Sequence, residues 1–210
     1  MNKAKNIFLR FIFLLIALGS CFLFLLSDRY VIPILNYHNI DDAPGEKALW
    51  VSSSHFDYQM AYLKKNGYHV ISLSALIDGI ERHIALPKKS VVITFDDGYE
   101  NNYTQAYPIL KKYGYPAIIF LVSDWIDRDG YLTTWQIKEM SRHGISFGSH
   151  TQTHPFLPNI TEDKKRIEIA GSKVILEKKL GLKMDFLAYP FGGFKQNGSS
   201  KTITDRKSVV

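Results

Sequence analysis

Short apolar, β-branched runs bounded by turn residues recur along this chain, each separated from the next by a stretch of helical period, and that alternation limits the fold more than any other feature. The runs lie at 31–35, 68–72, 91–95, 117–122, 145–149 and 186–189, and the helix-period stretches at 56–65, 75–83, 103–113, 134–143 and 162–180. Runs that are apolar throughout, rather than alternating, read as strands buried on both faces, which is the habit of parallel sheets. Gly67, Gly114, Gly144 and Gly181 follow helix ends, where a left-handed residue is wanted. Parallel strands joined by crossover helices follow. No glycine-rich phosphate turn follows any strand, so six strands and five helices predict an incomplete (β/α) barrel rather than a doubly wound sheet.

The first thirty residues are of another kind. Residues 11–26 carry no charge, with Lys3, Lys5 and Arg10 before them and Asp28 and Arg29 after. That pattern predicts a signal anchor over 1–29, one membrane-spanning helix with its basic end in the cytoplasm and everything after it outside. Leu18-Gly19-Ser20-Cys21 also has the look of a lipoprotein cleavage box, although the apolar run continues past Cys21 and favours an uncleaved anchor. Cys21 is the one cysteine, so the body contains neither a disulfide nor a thiolate metal site. The net charge of +6 comes from lysines scattered over helix-like stretches, which argues against a nucleic-acid partner.

Polar residues of unusual type collect just after the strands, at the ends that form the active-site mouth of a parallel α/β barrel. Asn36, Tyr37 and His38 follow the first, Asp96 and Asp97 the third, His150 and His154 the fifth, and Pro190 and Gly192 the sixth. Two histidines four residues apart share one side if their segment turns helically, and with the Asp97 carboxylate they could hold one divalent metal and leave positions open, as catalytic sites do. Asp96 would remain as a base for water activated there. Asp96-Asp97-Gly98 is equally good turn or helix-cap chemistry, and a single strand-end histidine is usually structural. The convergence of four segments points to a site. A glycosidase fits poorly, because its two carboxylates must flank the scissile bond and these two are adjacent.

Thr94-Phe95-Asp96-Asp97-Gly98-Tyr99 together with Ser149-His150-Thr151-Gln152-Thr153-His154-Pro155 resembles the paired motifs of the polysaccharide deacetylase superfamily, the NodB-homology or carbohydrate esterase family 4 domain. Leu35-Asn36-Tyr37-His38 and Ala188-Tyr189-Pro190-Phe191-Gly192 extend the similarity over residues 31–194, and the combination is similar to the subgroup that de-N-acetylates poly-β-1,6-N-acetylglucosamine in biofilms. The resemblance implies Asp96 as general base, a divalent metal, Zn2+ first among candidates, on Asp97, His150 and His154, and His38 as general acid. It implies substrate contacts from Tyr37, Tyr189, Pro190, Phe191 and Gly192, with a backbone amide of that turn helping to hold an oxyanion. Many members brace the base with an arginine where this chain has Ala188, so the brace should differ.

The expected organisation is an anchor over 1–29, a deacetylase domain over 30–194 and a tail over 195–210. The domain reads as cut short, since neither a seventh strand nor a closing helix follows Phe194. The tail reads either as an appended artefact, from its last six residues, or as a short polar terminus. The expected partners are an acetylated polysaccharide and the membrane, with the catalytic body at the bacterial cell surface. An O-acetyl esterase acting on an acetylated glycan, or a non-catalytic glycan-binding remnant, would use the same residues.

Overall fold

The computed structural model describes residues 10–16, 18–20, 31–42, 49–192, 195–196 and 199–200. Residues 1–32 and 33–210 form two separate units. In the first, residues 10–16 and 18–20 are helical, and Phe11, Phe13 and Leu15 are exposed. Among the described residues no helix is long and apolar enough to cross a membrane, and the rest of the expected 1–29 anchor lies outside them.

The second unit is built on a parallel sheet. Strand β1 (Ile34–Tyr37) pairs with β5 (Ser90–Phe95), β5 with β6 (Ala117–Leu121), and β6 with β7 (Ile145–Ser149), while β4 (His69–Val70) joins the start of β5. A second parallel pair, β2 (Asn39–Ile40) with β3 (Trp50–Val51), lies beyond β1. Every residue of β5 and β6 is buried, as expected for apolar runs covered on both faces. Ile93, Phe95, Ile119, Leu110, Met140 and Leu176 form the centre of the core, where each fully buried large side chain contributes about 1.5–3 kcal/mol. Among the described residues the sheet stays open, with β1 at one end.

Several helices begin where a side chain supplies an acceptor for the free N–H groups of the first turn. Ser52 caps α1 (Ser53–Lys65), Ser72 caps α2 (Leu73–Glu81), and Thr133 forms a reciprocal capping box with Gln136 at α4 (Thr134–Ser141). Helix α3 (Tyr107–Tyr113) ends on Gly114 at φ 69°, the left-handed residue that its place after the periodic stretch predicted. Two expected helices are not uniform. The first, expected over 103–113, opens with a π-helical turn, Asn102–Ala106. The other, expected over 162–180, is α5 (Glu162–Arg166), a second π-helical turn, Ile167–Gly171, and α6 (Ser172–Leu180).

The strand expected at 186–189 is reduced to one parallel bridge between Leu187 and Ser149. Pro190 has no N–H to donate, and the Ala188 carbonyl is taken by the His150 ring instead of a ladder partner. Within the expected tail a short antiparallel pair forms, β8 (Lys195–Gln196) with β9 (Ser199–Ser200); the remaining tail residues lie outside the described ones.

Candidate metal centre and its surroundings

The end of β5 turns sharply. Asp97 and Gly98 have φ of 72° and 71°, consecutive left-handed residues of the kind that collect at functional turns. A side chain at Gly98 would be strained, because φ is positive and a Cβ would lie 2.8 Å from the Leu121 side chain, which would have to shift. The turn directs the Asp97 carboxylate toward the segment after β7. Asp97 Oδ1 lies 3.5 Å from His150 Nε2 and 3.2 Å from His154 Nε2.

His150 and His154 come together without the helical turn on which their i, i+4 spacing was conditioned. Residues 150–154 form a loop in which Thr151 and His154 are left-handed, at φ 70° and 63°. The loop's successive N–H groups find side-chain acceptors: Thr151 N donates to Ser149 Oγ, Gln152 N and Thr153 N to Glu168 Oε2, and His154 N to Thr151 Oγ1. A helix would have paired these donors with backbone carbonyls.

The donor set fits a divalent cation. One ligand atom from each of Asp97, His150 and His154 lies within 4.8 Å of the others. Asp97 Oδ1 is buried and accepts no well-formed hydrogen bond, a costly state that a cation would relieve. The Ala188 carbonyl, 3.0 Å from His150 Nδ1, fixes the proton of the neutral ring on that nitrogen and turns the Nε2 lone pair toward the cluster. Burial holds the His150 pKa below the ordinary value despite the charges of Asp96 and Asp97, so the neutral, ligating form is favoured. Burial alone would raise the Asp97 carboxyl, but His154 in close contact, with His150 and His38 beyond it, outweighs burial and holds it below the usual range. The His154 ring lies between Trp125, at 5.2 Å, and Phe191, at 4.7 Å.

Asp96 and His38 stand beside this cluster. His38 Nε2 is 3.8 Å from Asp96 Oδ2, and Asn36 Nδ2 donates to the same oxygen at 2.9 Å. Thr94 Oγ1 donates to Asn36 Oδ1, also at 2.9 Å, which fixes the amide's orientation. Asn36 therefore braces Asp96 where Ala188 provides no side chain to do so. Period-two alternation along β1 puts Asn36 on the face opposite Tyr37, a signal that could have singled it out. Asn102 Nδ2, from the first π-helical turn, holds the His38 carbonyl at 2.7 Å.

Tyr37 does not line the site. Its ring is buried against Phe56 and Phe95, its hydroxyl donates to Gln59 at 2.8 Å, and burial pushes its pKa up to about 12. The same alternation that presents Asn36 sends Tyr37 into the core. Of the 189–192 turn, Pro190 is buried, Tyr189 is half-buried and Gly192 is exposed; Phe191, at φ 60°, is 69% exposed with its ring against His154. Tyr99, unassigned from sequence, stacks on Tyr131 at 5.3 Å; burial, with the Asp97 charge, pushes its phenol up to about 12, so it stays a proton donor.

A family model described as polysaccharide deacetylase matches residues 83–204, more than half of the chain. A Bacillus subtilis protein, YxkH, whose name places it among polysaccharide deacetylases, is 36% identical over 165 residues, covering 79% of this chain and 58% of its own length. The poly-β-1,6-N-acetyl-D-glucosamine N-deacetylase of Staphylococcus aureus is 30% identical over 159 residues, 68% of this chain and 53% of that protein. The chain thus spans little more than half the length of these two relatives. The solved structure of the Streptococcus pyogenes deacetylase PplD in complex with acetate superposes with a TM-score of 0.73 at 34% identity, over 79% of this chain and 76% of that one.

Proposed function

This chain belongs to the polysaccharide deacetylase family, and we propose that it removes acetyl groups from N-acetylglucosamine units of a cell-surface or extracellular polysaccharide. The observation that carries the reading is the juxtaposition of the Asp97–His150–His154 cluster, two of whose members are buried, with a separate carboxylate and imidazole, Asp96 and His38. A divalent cation on the cluster, Zn2+ first among candidates, would supply Lewis acidity, polarising an acyl oxygen and lowering the pKa of water.

The chain's own groups handle the protons. Asp96, held by Asn36, accepts a proton from the attacking water as its oxygen bonds to the acyl carbon. The carbon–nitrogen bond then breaks, and the departing nitrogen must leave as an amine rather than an amide anion. His38, beside Asp96, gives that proton, an imidazolium being able to donate one and leave a stable neutral ring. The products are acetate and a glucosamine unit. The exposed Phe191 ring offers an apolar face to a pyranose, with Tyr189, Pro190 and Gly192 shaping the turn around it.

Two further parts of the reading rest on other support. The amide linkage and the β-1,6 polymer draw on the name of the S. aureus relative and on the presence of an acid beside the base, which an amine leaving group needs more than an alkoxide does. Attachment to a bacterial membrane, with the catalytic body outside, draws on the uncharged run at 11–26 and the basic residues before it.

The test is acetate release by the metal-loaded full chain from poly-β-1,6-N-acetylglucosamine and from acetylated xylan, with Asp96→Asn as control. Release from the first polymer, lost in the control, is expected. Release from xylan alone would move the reading to an O-acetyl esterase, and release from neither would favour a glycan-binding remnant.

A further inference from the structure

The loop that carries His150 and His154 is held from outside by one carboxylate, that of Glu168. Glu168 Oε2 accepts from Gln152 N at 3.0 Å and Thr153 N at 2.8 Å, and Oε1 accepts from the Thr153 hydroxyl at 2.6 Å. Three donors on two adjacent residues, lying between the two histidines, converge on one side chain. On the carbonyl side the loop is held as well, Thr151 O by Ser123 N and Gln152 O by Asp124 N.

Two features of the loop make such a clamp necessary. Thr151 is β-branched, and at φ 70° it occupies a region that β-branched residues rarely visit; His154 is left-handed too. Backbone of this kind persists only where its surroundings over-determine it. Charged acceptors make the stronger hydrogen bonds, and here the charge falls on the stretch that sets the separation of the two imidazoles.

The clamp depends on the second π-helical turn. Glu168 lies in Ile167–Gly171, and Ser172, which follows directly, contacts Ser149 Oγ at 2.6 Å at the root of the same loop. Gly171 faces the Gln152 side chain, whose Oε1 would lie at contact distance, 3.4 Å, from an added Cβ. The extra residue of a π turn changes which side chains face a neighbour, and such turns are frequent at functional sites.

We propose that Glu168 is a positioning residue for the metal centre: by holding Gln152 and Thr153 it sets the spacing and orientation of His150 and His154 and so tunes cation affinity. This rests on the reading of the Asp97–His150–His154 cluster as a metal site. Glu168 touches neither the cluster's ligand atoms nor the reacting groups.

Co2+ titration of the full chain, followed by visible absorption, tests the proposal on the wild type, Glu168→Ala and Glu168→Gln, with the thermal midpoint of each metal-free protein measured alongside. Glu168→Ala should bind Co2+ about 10- to 100-fold more weakly, the range for lost outer partners of metal ligands, with a changed absorption band. Glu168→Gln should recover most of the affinity and the band, since its Oε1 can accept both N–H groups and its NH2 can donate to Thr153 Oγ1. A Glu168→Ala protein with wild-type affinity and spectrum would overturn the clamp and leave the metal reading standing. Equal losses of affinity in both variants, in step with equal falls in thermal midpoint, would reduce Glu168 to a plain stability contact. A wild type that binds no Co2+ would overturn the metal reading itself, and the clamp with it.

Discussion

Beside Asp97 the histidine loop is tied down through its backbone donors, whereas the Asp96 and His38 side chains are held lightly. The Asp97 and His150 side chains are 7% and 3% exposed, and the His150–His154 loop has its N–H groups matched to Ser149, Glu168 and Thr151. Asp96 and His38 are 14% and 21% exposed. Among the described residues their side chains have one fixed contact, Asn36 on one Asp96 oxygen, beside backbone bonds from Asp96 N to Tyr37 O, from Gly98 N to Asp96 O and from Asn102 Nδ2 to the His38 carbonyl. The half that would bind a cation has three ligand atoms to keep in place, and rigidity serves it. The half that would move protons must admit water and a polymer, and β1, which carries His38 past its end, lies at the edge of the sheet. Substitutions on the two sides should therefore fail in different ways.

The largest effect separates the adjacent aspartates. Asp97→Ala, His150→Ala and His154→Ala should each lose bound metal and, with it, acetate release. Asp96→Asn should keep its metal and lose turnover. Elemental analysis of the purified chains, beside an acetate assay, reads both quantities. An Asp96→Asn protein without metal would erase the distinction between the two halves.

A smaller effect is expected from His38→Ala. Loss of a general acid slows reactions by about 10²- to 10⁴-fold, and amide hydrolysis should slow by that much while metal content stays unchanged. Aryl acetates should be hydrolysed with a smaller loss, because a phenoxide leaves with little help from a proton. Comparing kcat/KM on both substrates checks this. An equal loss on amide and ester would make His38 a binding or structural residue.

The residues that the structure brings together here, Asp96, Asp97, His150, His154 and His38, stood out in the sequence because they cluster in short motifs at strand ends, which parallel β/α order brings to one mouth. What supports them did not. The i, i+4 spacing of His150 and His154 suits a helical turn, but side-chain acceptors from Ser149, Thr151 and Glu168 gave the backbone another way to satisfy its donors. Glu168 itself lies among the charged residues of a helix-period stretch, where nothing distinguishes it from a solvated neighbour. The π-helical turns have no one-dimensional signature, since the apolar spacing of 103–113 and 162–180 fits a helix with or without one extra residue. Tyr37 was misplaced for a simpler reason. It shares a motif with Asn36 and His38, but period-two alternation along β1 decides which way its ring points.

The smallest predicted effect sharpens the comparison from its lightly held side. Asn36 is the described side chain that donates to Asp96, and it stands where an arginine brace is absent at Ala188. A hydrogen bond to a charged group contributes about 1.5–3 kcal/mol. If the bond's work is to hold Asp96 in the geometry that the transition state requires, its loss raises the barrier by up to that amount, and Asn36→Ala should lower kcat by about 10- to 100-fold, less than the loss of Asp96 itself. Metal content should not change, because Asn36 belongs to the other half. Asn36→Asp should be at least as slow, since a second carboxylate facing Asp96 Oδ2 replaces a donor with a like charge, and Thr94 Oγ1 still has an acceptor to hold it there. KM should move less than kcat in both variants, because Asn36 acts on the base rather than on the polymer. A fall in metal content in Asn36→Ala would show that the two halves are coupled through the Asp96-Asp97 turn, and that the tightly held side depends on the edge strand after all.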